Sequence, residues 1–283
     1  MIRMIGLDLD GTLLTRQKEL TAGNRAALEK AAGIGIHIVP VTGRPLSGIP
    51  SQVLELDFIR FAITSNGAVT TDRRSGSAIR ERCMSKATAE KTLKAAEGEG
   101  IIREYFTEGW GYHDPDTHKL LWKKFEKTPV LPYLEKSRIQ VADLYGSLRE
   151  SQRGIENLSI MCPTPAVKEE ILERVKVIEG VRIIYPWPTD LEITSKDADK
   201  GEALLSLASL LGLRREEVMA MGDGNNDLGL MNAAGLSVAM GNSAPEVLEA
   251  ADFQTSDNEH DGVAEAIRYH VLNEYRLGEP KKR

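Results

Sequence analysis

Short apolar segments alternate with segments of helical periodicity in the first part of the chain. The pattern predicts strands over 2–9, 36–41 and 61–64, with a helix over 21–33 between the first two. Each predicted strand ends in a small polar loop. Strands that alternate with helices predict a parallel sheet with crossover connections. Ligands bind such sheets at the carboxyl ends of the strands, so we expect the chemistry in these loops.

The same rhythm returns near the end of the chain. A helix over 200–212 precedes strands over 218–221 and 236–240, a short helix after Ser243, and a final helix over 261–274. The first and last parts of the chain therefore share one pattern. The basic tail that follows, 281–283, is expected to be a solvated end.

The middle of the chain follows a different order of elements. Helices are predicted over 85–97 and 166–178, and strands over 158–162, 181–185 and 191–194. The segment 101–107 and an aromatic-rich stretch lie between the first helix and the first of these strands. A turn at 73–76 and the proline-rich 186–188 lie near the two ends of this region. The middle therefore reads as a separate mixed α/β unit.

Composition and charge exclude several classes of protein. The 283 residues are 41% hydrophobic and 28% charged, which is typical of a globular protein of about two domains. A net charge of −6 does not provide the basic field of a nucleic-acid binder. No apolar run is long enough to span a membrane, and Arg3, Asp8 and Asp10 interrupt the N-terminal apolar run where a signal peptide would continue. We expect a cytoplasmic protein without nucleic-acid or membrane partners.

The acidic residues are unevenly distributed along the chain. Residues 80–190 carry 18 basic and 18 acidic side chains, so the whole net charge of −6 belongs to the two outer parts. This agrees with outer parts that form one unit, and ordinary surface charge would explain it equally well.

The strongest chemical signal is the run Asp8-Leu9-Asp10-Gly11-Thr12 at the end of the first predicted strand. Two carboxylates at this spacing repel each other, and burial would add a desolvation penalty. A divalent cation between them removes the repulsion, and Mg²⁺ prefers such oxygen ligands. A plain Asp-Gly turn would explain Asp10 but not an aspartate inside a buried strand.

A second acidic run, from Gly222 to Asp227, follows another apolar strand, and its Asp223 would complete an oxygen site with Asp8 and Asp10. An EF-hand is excluded because Ala234 stands at the twelfth position from Asp223, where that loop requires Glu.

Two further loops offer phosphate ligands. Thr42-Gly43 places a hydroxyl and an accessible amide at a strand end. Lys200 begins a predicted helix, where the dipole disfavours a cation unless an anion accompanies it. A solvated surface lysine is the alternative for Lys200. The chain has no glycine-rich Lys-Ser/Thr phosphate loop and no Gly-x-Ser-x-Gly motif.

In this order, DLDGT, TGR, Lys200-Gly and GDGNND resemble the motifs of the haloacid dehalogenase superfamily of phosphohydrolases. Ser65–Ala68, Ala239–Asn242 and Asn258–Ala264 are similar to segments of its Cof-type branch. The resemblance implies a doubly wound α/β parallel-sheet core, residues 1–79 and 191–283, and a large inserted α/β cap, residues 80–190, that sets substrate specificity.

The resemblance also implies roles for single residues. Asp8 would be the nucleophile that becomes an aspartyl-phosphate, and Asp10 the general acid and base, with Thr42 and Lys200 as the other catalytic residues. Phosphate and substrate would be bound by Leu9, Thr42, Gly43, Arg44, Asn66, Lys200 and Asn226. Mg²⁺ would be held by Asp8, the Asp10 backbone carbonyl and Asp223, with Asp227 supporting the site from behind.

The sequence therefore predicts a Mg²⁺-dependent phosphatase that acts on a small phosphorylated metabolite, such as a sugar phosphate. Two alternatives remain open. The phosphoryl group could pass to an alcohol, as in a phosphomutase, or the fold could sense phosphate without turnover. The physiological substrate and the oligomeric state are not predicted.

Overall fold

The computed structural model describes residues 1–274, and the tail 281–283 lies outside them. The strands, in chain order, are β1 Met4–Leu7, β2 His37–Pro40, β3 Phe61–Thr64, β4 Val69–Asp72, β5 Ser77–Glu81, β6 Ile102–Thr107, β7 Trp110–His113, β8 Arg138–Gln140, β9 Asn157–Met161, β10 Val181–Ile184, β11 Asp190–Ser195, β12 Val218–Gly222, β13 Leu236–Ala239 and β14 Phe253–Gln254. The helices are α1 Ala22–Gly33, α2 Ser51–Leu54, α3 Lys86–Ala95, α4 Pro115–Phe125, α5 Leu131–Ser137, α6 Leu144–Glu150, α7 Pro165–Val175, α8 Lys200–Leu210, α9 Leu228–Ala233, α10 Pro245–Ala250 and α11 Gly262–His270.

The described chain divides into two compact units. The first unit contains Met1–Gly43, Pro50–Arg80 and the chain from Asp199 onward, and the second contains Arg44–Ile49 and Glu81–Ala198. The first unit is built on a five-stranded sheet in the order β14-β13-β12-β1-β2, in which every pairing is parallel. The predicted α/β class with a parallel-sheet core is confirmed.

The order of strands in this sheet creates a switch point. The chain enters at β1, continues to β2 on one side, and later returns to place β12, β13 and β14 on the other side. The carboxyl ends of β1 and β12 therefore lie side by side, with connections that diverge. A crevice at such a point is where ligands bind in α/β sheets.

The core of the first unit forms because both faces of the parallel strands are apolar. All four residues of β1 and all five of β12 are buried. Helix α8 packs on this sheet, with Leu204 and Leu207 in the same apolar cluster as Met4 and Val218. A parallel sheet buried on both faces is the expected product of such continuous apolar runs.

The strand predicted over 61–64 is present, and an isolated parallel bridge between Val41 and Ile63 joins it to the residue that follows β2. β3 also pairs antiparallel with β4, in a three-stranded sheet in the order β3-β4-β5. The strands β4 and β5 were not predicted, and β4 provides this antiparallel partner.

The second unit is built on a six-stranded sheet in the order β10-β11-β9-β6-β7-β8, with antiparallel pairings apart from β7–β8. The predicted boundary at residue 190 differs from the observed one. β11 pairs with β9, with Leu191 opposite Ile160, so this strand completes the second sheet and the unit ends at Ala198. Among residues 1–274, no helix is long and apolar enough to cross a membrane.

Candidate active site

Asp8 and Asp223 leave two neighbouring strands at the same level. Leu7 of β1 lies opposite Met221 of β12, and the Asp8 amide donates to the Met221 carbonyl over 3.0 Å. Asp8 is buried and follows β1 directly, while Asp223 follows β12. Two carboxylates that are far apart in sequence therefore meet at the switch point of the sheet.

The turn after Asp8 brings Thr12 and Gly11 against Asp223. The Thr12 hydroxyl donates to Oδ1 of Asp223 over 2.8 Å. Gly11 has a φ of +86°, and a Cβ at this position would lie 2.2 Å from Oδ2 of Asp223. Only glycine permits both this conformation and this close approach. Gly11 and Thr12 thus suit the packing of the turn against the carboxylate.

Lys200 enters the cluster because α8 packs closely on the start of α9. A Cβ at Gly201 would lie 2.1 Å from the Gly229 carbonyl oxygen, so the two helix backbones are nearly in contact. Lys200 Nζ donates to Oδ1 of Asp8 and to Oδ1 of Asp227, each over 2.7 Å. Lys200 is 1% exposed, which excludes the alternative of a solvated surface lysine.

Asp227 is a fully bonded carboxylate. Its Oδ1 accepts from Lys200, and its Oδ2 accepts from the backbone amides of Asp223 and Gly224, each over 3.0 Å. These bonds fix both the lysine and the loop that carries Asp223. The role of Asp227 in the reaction stays a prediction.

Burial and crowding raise the pKa values of two carboxylates of the cluster, Asp8 and Asp223. Burial raises the pKa of Asp8 well above its usual value, against the opposing attraction of Lys200. The neighbouring carboxylates Asp227, Asp223 and Asp10 raise it further. Burial and the Asp227 charge raise the pKa of Asp223 to about 6. Lys200 is held charged, because its two carboxylate partners outweigh burial and raise its pKa.

The cluster fits a divalent metal ion. Carboxylate oxygens of Asp8, Asp223 and Asp227 all lie within 4.8 Å of one another. Asp8 and Asp227 share the buried cation Lys200, and with Asp223 beside them negative charge is in excess. An all-oxygen donor set with excess negative charge suits a hard divalent ion such as Mg²⁺. Within residues 1–274, these three side chains are the group of possible metal ligands whose ligand atoms lie this close together.

The phosphate residues predicted after β2 and β3 lie together. The Thr42 amide donates to the Ile63 carbonyl, and the Thr42 carbonyl accepts from the Asn66 amide over 3.0 Å. Oδ1 of Asn66 accepts from the Asn226 side chain over 3.1 Å. Gly43 adjoins the Asn66 side chain, which a Cβ there would approach to 3.1 Å. Three loops from three strands therefore meet in this part of the site.

Asp10 and Arg44 have partners outside the carboxylate cluster. Oδ1 of Asp10 forms an ion pair with Lys18 Nζ at 2.8 Å, and both side chains are about one-third exposed. Arg44 belongs to the second unit, where it donates to the Gly48 carbonyl and lies over the ring of Tyr133. The predicted roles of Asp10 and Arg44, and of the buried Leu9, stay predictions.

Three further residues, which had no predicted role, lie at the site. Thr12 and Asn242 bond to Asp223, and Lys18 pairs with Asp10. Thr12 lies in the DLDGT motif and Asn242 in the segment Ala239–Asn242, so the resemblance to the family could have indicated both residues. Lys18 lies in a polar loop and has no such mark.

Comparison with known proteins identifies the family. The model of the haloacid dehalogenase-like hydrolases matches residues 5–267. The chain belongs to this family. YxeH of Bacillus subtilis (strain 168) is 32% identical over 277 residues, which cover 96% of this chain and 99% of that protein.

Two further relatives extend the comparison. A B. subtilis (strain 168) protein named 5-amino-6-(5-phospho-D-ribitylamino)uracil phosphatase YcsE is 29% identical, with 96% of each chain covered. The structure of a haloacid dehalogenase-like hydrolase from B. subtilis has a TM-score of 0.82 and 27% identity, and covers 95% of this chain and 100% of that one. The predicted family, the inserted second α/β unit and the phosphatase class are confirmed.

Proposed function

We propose that this phosphatase hydrolyses small phosphorylated metabolites in a Mg²⁺-dependent reaction that passes through an aspartyl-phosphate on Asp8. The observation that carries the proposal is the buried cluster in which Lys200 bridges Asp8 and Asp227 beside Asp223. A cation and a nucleophilic carboxylate held together in a crowded acidic site are what phosphoryl transfer to a carboxylate requires.

In the first step a carboxylate oxygen of Asp8 attacks phosphorus, and the bond between phosphorus and the ester oxygen breaks. Lys200 fixes Oδ1 of Asp8 at 2.7 Å, so we assign the attack to Oδ2. Asp10 gives its proton to the departing alcohol oxygen. The products of this step are the free alcohol and a phosphate group bound to Asp8.

In the second step Asp10 accepts a proton from water, and the water oxygen attacks phosphorus. The bond between phosphorus and the Asp8 oxygen breaks, which releases inorganic phosphate and restores the carboxylate. Thr42, the amides of Leu9 and Gly43, and Asn226 would hold the phosphate oxygens during both steps. Splitting the displacement in two lets one aspartate serve as acid and then as base.

Mg²⁺ would be held by Asp8, Asp223 and the Asp10 backbone carbonyl, and it would neutralise charge on the phosphate as an anion approaches it. Lys200, which is bonded to Asp8, would supply a further positive charge beside the phosphate. Relatives differ in substrate, and YcsE is named for a phosphorylated ribitylamino-uracil. We assign the choice of leaving group to the second unit and the phosphate chemistry to the first.

The test is release of p-nitrophenol from p-nitrophenyl phosphate with added Mg²⁺. We expect turnover that chelation with EDTA abolishes and that Asp8→Asn lowers by at least about 10³-fold. Asp116→Asn is the matched control, because that carboxylate is 90% exposed on α4. Wild-type-like turnover in Asp8→Asn would refute the nucleophile, and transfer to an added alcohol in place of water would favour the phosphomutase reaction.

A further inference from the structure

Three asparagine amides hold the turn that follows Asp10. Asn242 Nδ2 donates to the Gly11 carbonyl over 2.8 Å, and Asn258 Nδ2 donates to the Leu14 carbonyl over 2.8 Å. Asn24 Nδ2 donates to the Leu13 carbonyl over 3.4 Å. The three residues come from α1, from the loop after β13 and from the loop before α11. One short turn therefore depends on side chains from three distant parts of the sequence.

The orientation of these amides is fixed by backbone donors. The Asn258 backbone N–H donates to Oδ1 of Asn242 over 3.1 Å, and the Ala264 N–H donates to Oδ1 of Asn24 over 2.9 Å. Because a backbone N–H can only donate, the amide oxygen must face it. The NH₂ group of each asparagine must then face the carbonyl of the turn.

Asn242 differs from the other two asparagines, because it also contacts a residue of the carboxylate cluster. Its Nδ2 lies 3.3 Å from Oδ2 of Asp223, the same oxygen that packs against Gly11. Oδ1 of Asp223 is held by Thr12, which belongs to the same turn. Asn242 and Thr12 together fix both oxygens of Asp223 relative to the backbone that leads from Asp10.

A neutral amide is suited to this position. It satisfies a carbonyl and a carboxylate oxygen without adding charge beside crowded aspartates. A lysine or arginine here would neutralise Asp223 and compete with a divalent ion for it. An added carboxylate would increase the repulsion that, in addition to burial, raises the pKa of Asp223.

We infer that Asn242 is a positioning residue, which sets Asp223 relative to the Asp10 turn so that carboxylate and turn receive one divalent cation. Asn258 and Asn24, which are buried, serve the turn as a scaffold and do not contact Asp223 in this way. The inference rests on the proposed function, since it concerns the same metal site. Partners that orient metal ligands typically change metal affinity by about 10- to 100-fold when they are removed.

The decisive measurement is Mg²⁺ and Mn²⁺ binding by calorimetry in the absence of substrate. We expect Asn242→Ala to weaken binding by about tenfold or more. Because Asn242 is exposed, the melting temperature of the metal-free variant should stay close to that of the metal-free wild type. Asn232→Ala is the matched control, because Asn232 is another exposed asparagine, on α9, and its variant should bind metal normally.

A second variant separates positioning from scaffolding. Asn258→Ala removes a buried donor from the Leu14 carbonyl, so it should lower the melting temperature more than Asn242→Ala does. Its metal affinity should change less, because the Asn258 backbone N–H that orients Asn242 is retained. With p-nitrophenyl phosphate, Asn242→Ala should need more Mg²⁺ for half-maximal activity while the KM at saturating Mg²⁺ stays near the wild-type value.

Two outcomes would overturn the inference. Unchanged metal affinity in Asn242→Ala would show that the contact with Asp223 has no positioning role. An equal loss of affinity in Asn258→Ala and Asn242→Ala, in step with their loss of melting temperature, would reduce both residues to scaffolding. A wild-type protein that neither binds a divalent ion nor hydrolyses the ester would refute the proposed function as well, so the two failures are distinguishable.

Discussion

Each unit of the molecule contains a buried cluster of charged side chains, and the charges are balanced in one cluster but not in the other. In the first unit, Lys200 faces Asp8 and Asp227, with Asp223 beside them. In the second unit, one carboxylate, Glu104, faces Arg138. Both clusters lie in low-dielectric surroundings, where an uncompensated charge is costly.

The cluster of the second unit is complete in itself. Arg138 donates to both oxygens of Glu104, over 2.7 and 3.4 Å, and His113 Nδ1 lies 3.4 Å from Oε1. The guanidinium also stacks over the rings of Phe106 and Tyr133. Although burial acts to raise the pKa of Glu104, Arg138 and His113 bring it below the usual value. Such a network holds a sheet together and requires no ligand.

In the cluster of the first unit, the buried charges do not compensate one another, so we call this cluster incomplete. Burial and the neighbouring carboxylates keep the pKa of Asp8 raised even with Lys200 bonded to it. Both clusters are buried, so burial alone does not mark a functional site. An uncompensated excess of one charge does, because it leaves room for a ligand of the opposite charge.

The largest expected effect comes from breaking the balanced cluster. Arg138→Met keeps the length of the side chain but leaves Glu104, which is fully buried, without its cation. Loss of one partner from a buried ion pair costs about 3–5 kcal/mol, so we expect a loss of that size in the free energy of unfolding. Urea denaturation measures it. Added Mg²⁺ should restore none of the loss, and recovery with Mg²⁺ would contradict the assignment of this cluster as structural.

The next effect comes from removing the cation of the incomplete cluster. Lys200→Met takes away the donor that fixes Oδ1 of Asp8, and we expect kcat to fall by about 10²- to 10³-fold. Because the variant increases the excess of negative charge, Mg²⁺ should stabilise it more than the wild type. The assay is steady-state hydrolysis of p-nitrophenyl phosphate, with melting curves at several Mg²⁺ concentrations. A kcat within tenfold of the wild type would remove Lys200 from the reaction.

The sequence alone indicates those site residues whose chemistry conflicts with the local element in which they lie. Asp8 in an apolar strand and Lys200 at a helix start both conflict with local preference, and the structure resolves both conflicts in one cluster. The presence of the β1 and β12 segments in a parallel sheet follows from apolar runs that alternate with helices, but the pairing of these two strands with each other does not. Local conflict in a sequence is therefore a strong indicator of a site.

The sequence was insufficient where a partner decides the outcome. The residues of β11 form a strand as predicted, but only pairing with β9 shows that the strand belongs to the second unit. Asn242 lies in a segment that resembles the family, but its contacts depend on Gly11 and Asp223, which are distant in sequence. Long-range pairings of this kind cannot be derived from periodicity or spacing.

The third effect depends on pH through the titration of Asp223. Asp223 has a pKa of about 6 in the metal-free protein, against an ordinary value of 3.8. Between these values the unfolded chain releases a proton that the folded chain retains, so the stability of the metal-free protein falls as pH rises through this window. Metal binding needs deprotonated carboxylates, so stabilisation by Mg²⁺ should grow through the same window.

At a Mg²⁺ concentration of about 100 times Kd we expect stabilisation of about 2.7 kcal/mol near pH 7.5, and distinctly less near pH 5. Melting temperatures with and without Mg²⁺ at the two pH values measure this difference. Asp223→Asn should lose most of the Mg²⁺ effect and flatten the pH dependence. An equal Mg²⁺ shift at both pH values would contradict the role of the crowded carboxylates in metal binding.

The smallest expected effect is at the ion pair between Lys18 and Asp10, which lies beside the incomplete cluster but is open to solvent. The side chains are 34% and 37% exposed, so water and salt screen the attraction in spite of the 2.8 Å separation. We expect Lys18→Met to lower the free energy of unfolding by about 0.2–1 kcal/mol, and by less in high salt. Lys119→Met is the matched control, because its pair with Asp116 is 75% and 90% exposed and should contribute still less. A loss above about 2 kcal/mol for Lys18→Met would place this pair with the buried one of Arg138, and exposure would no longer separate the two kinds of charge pair.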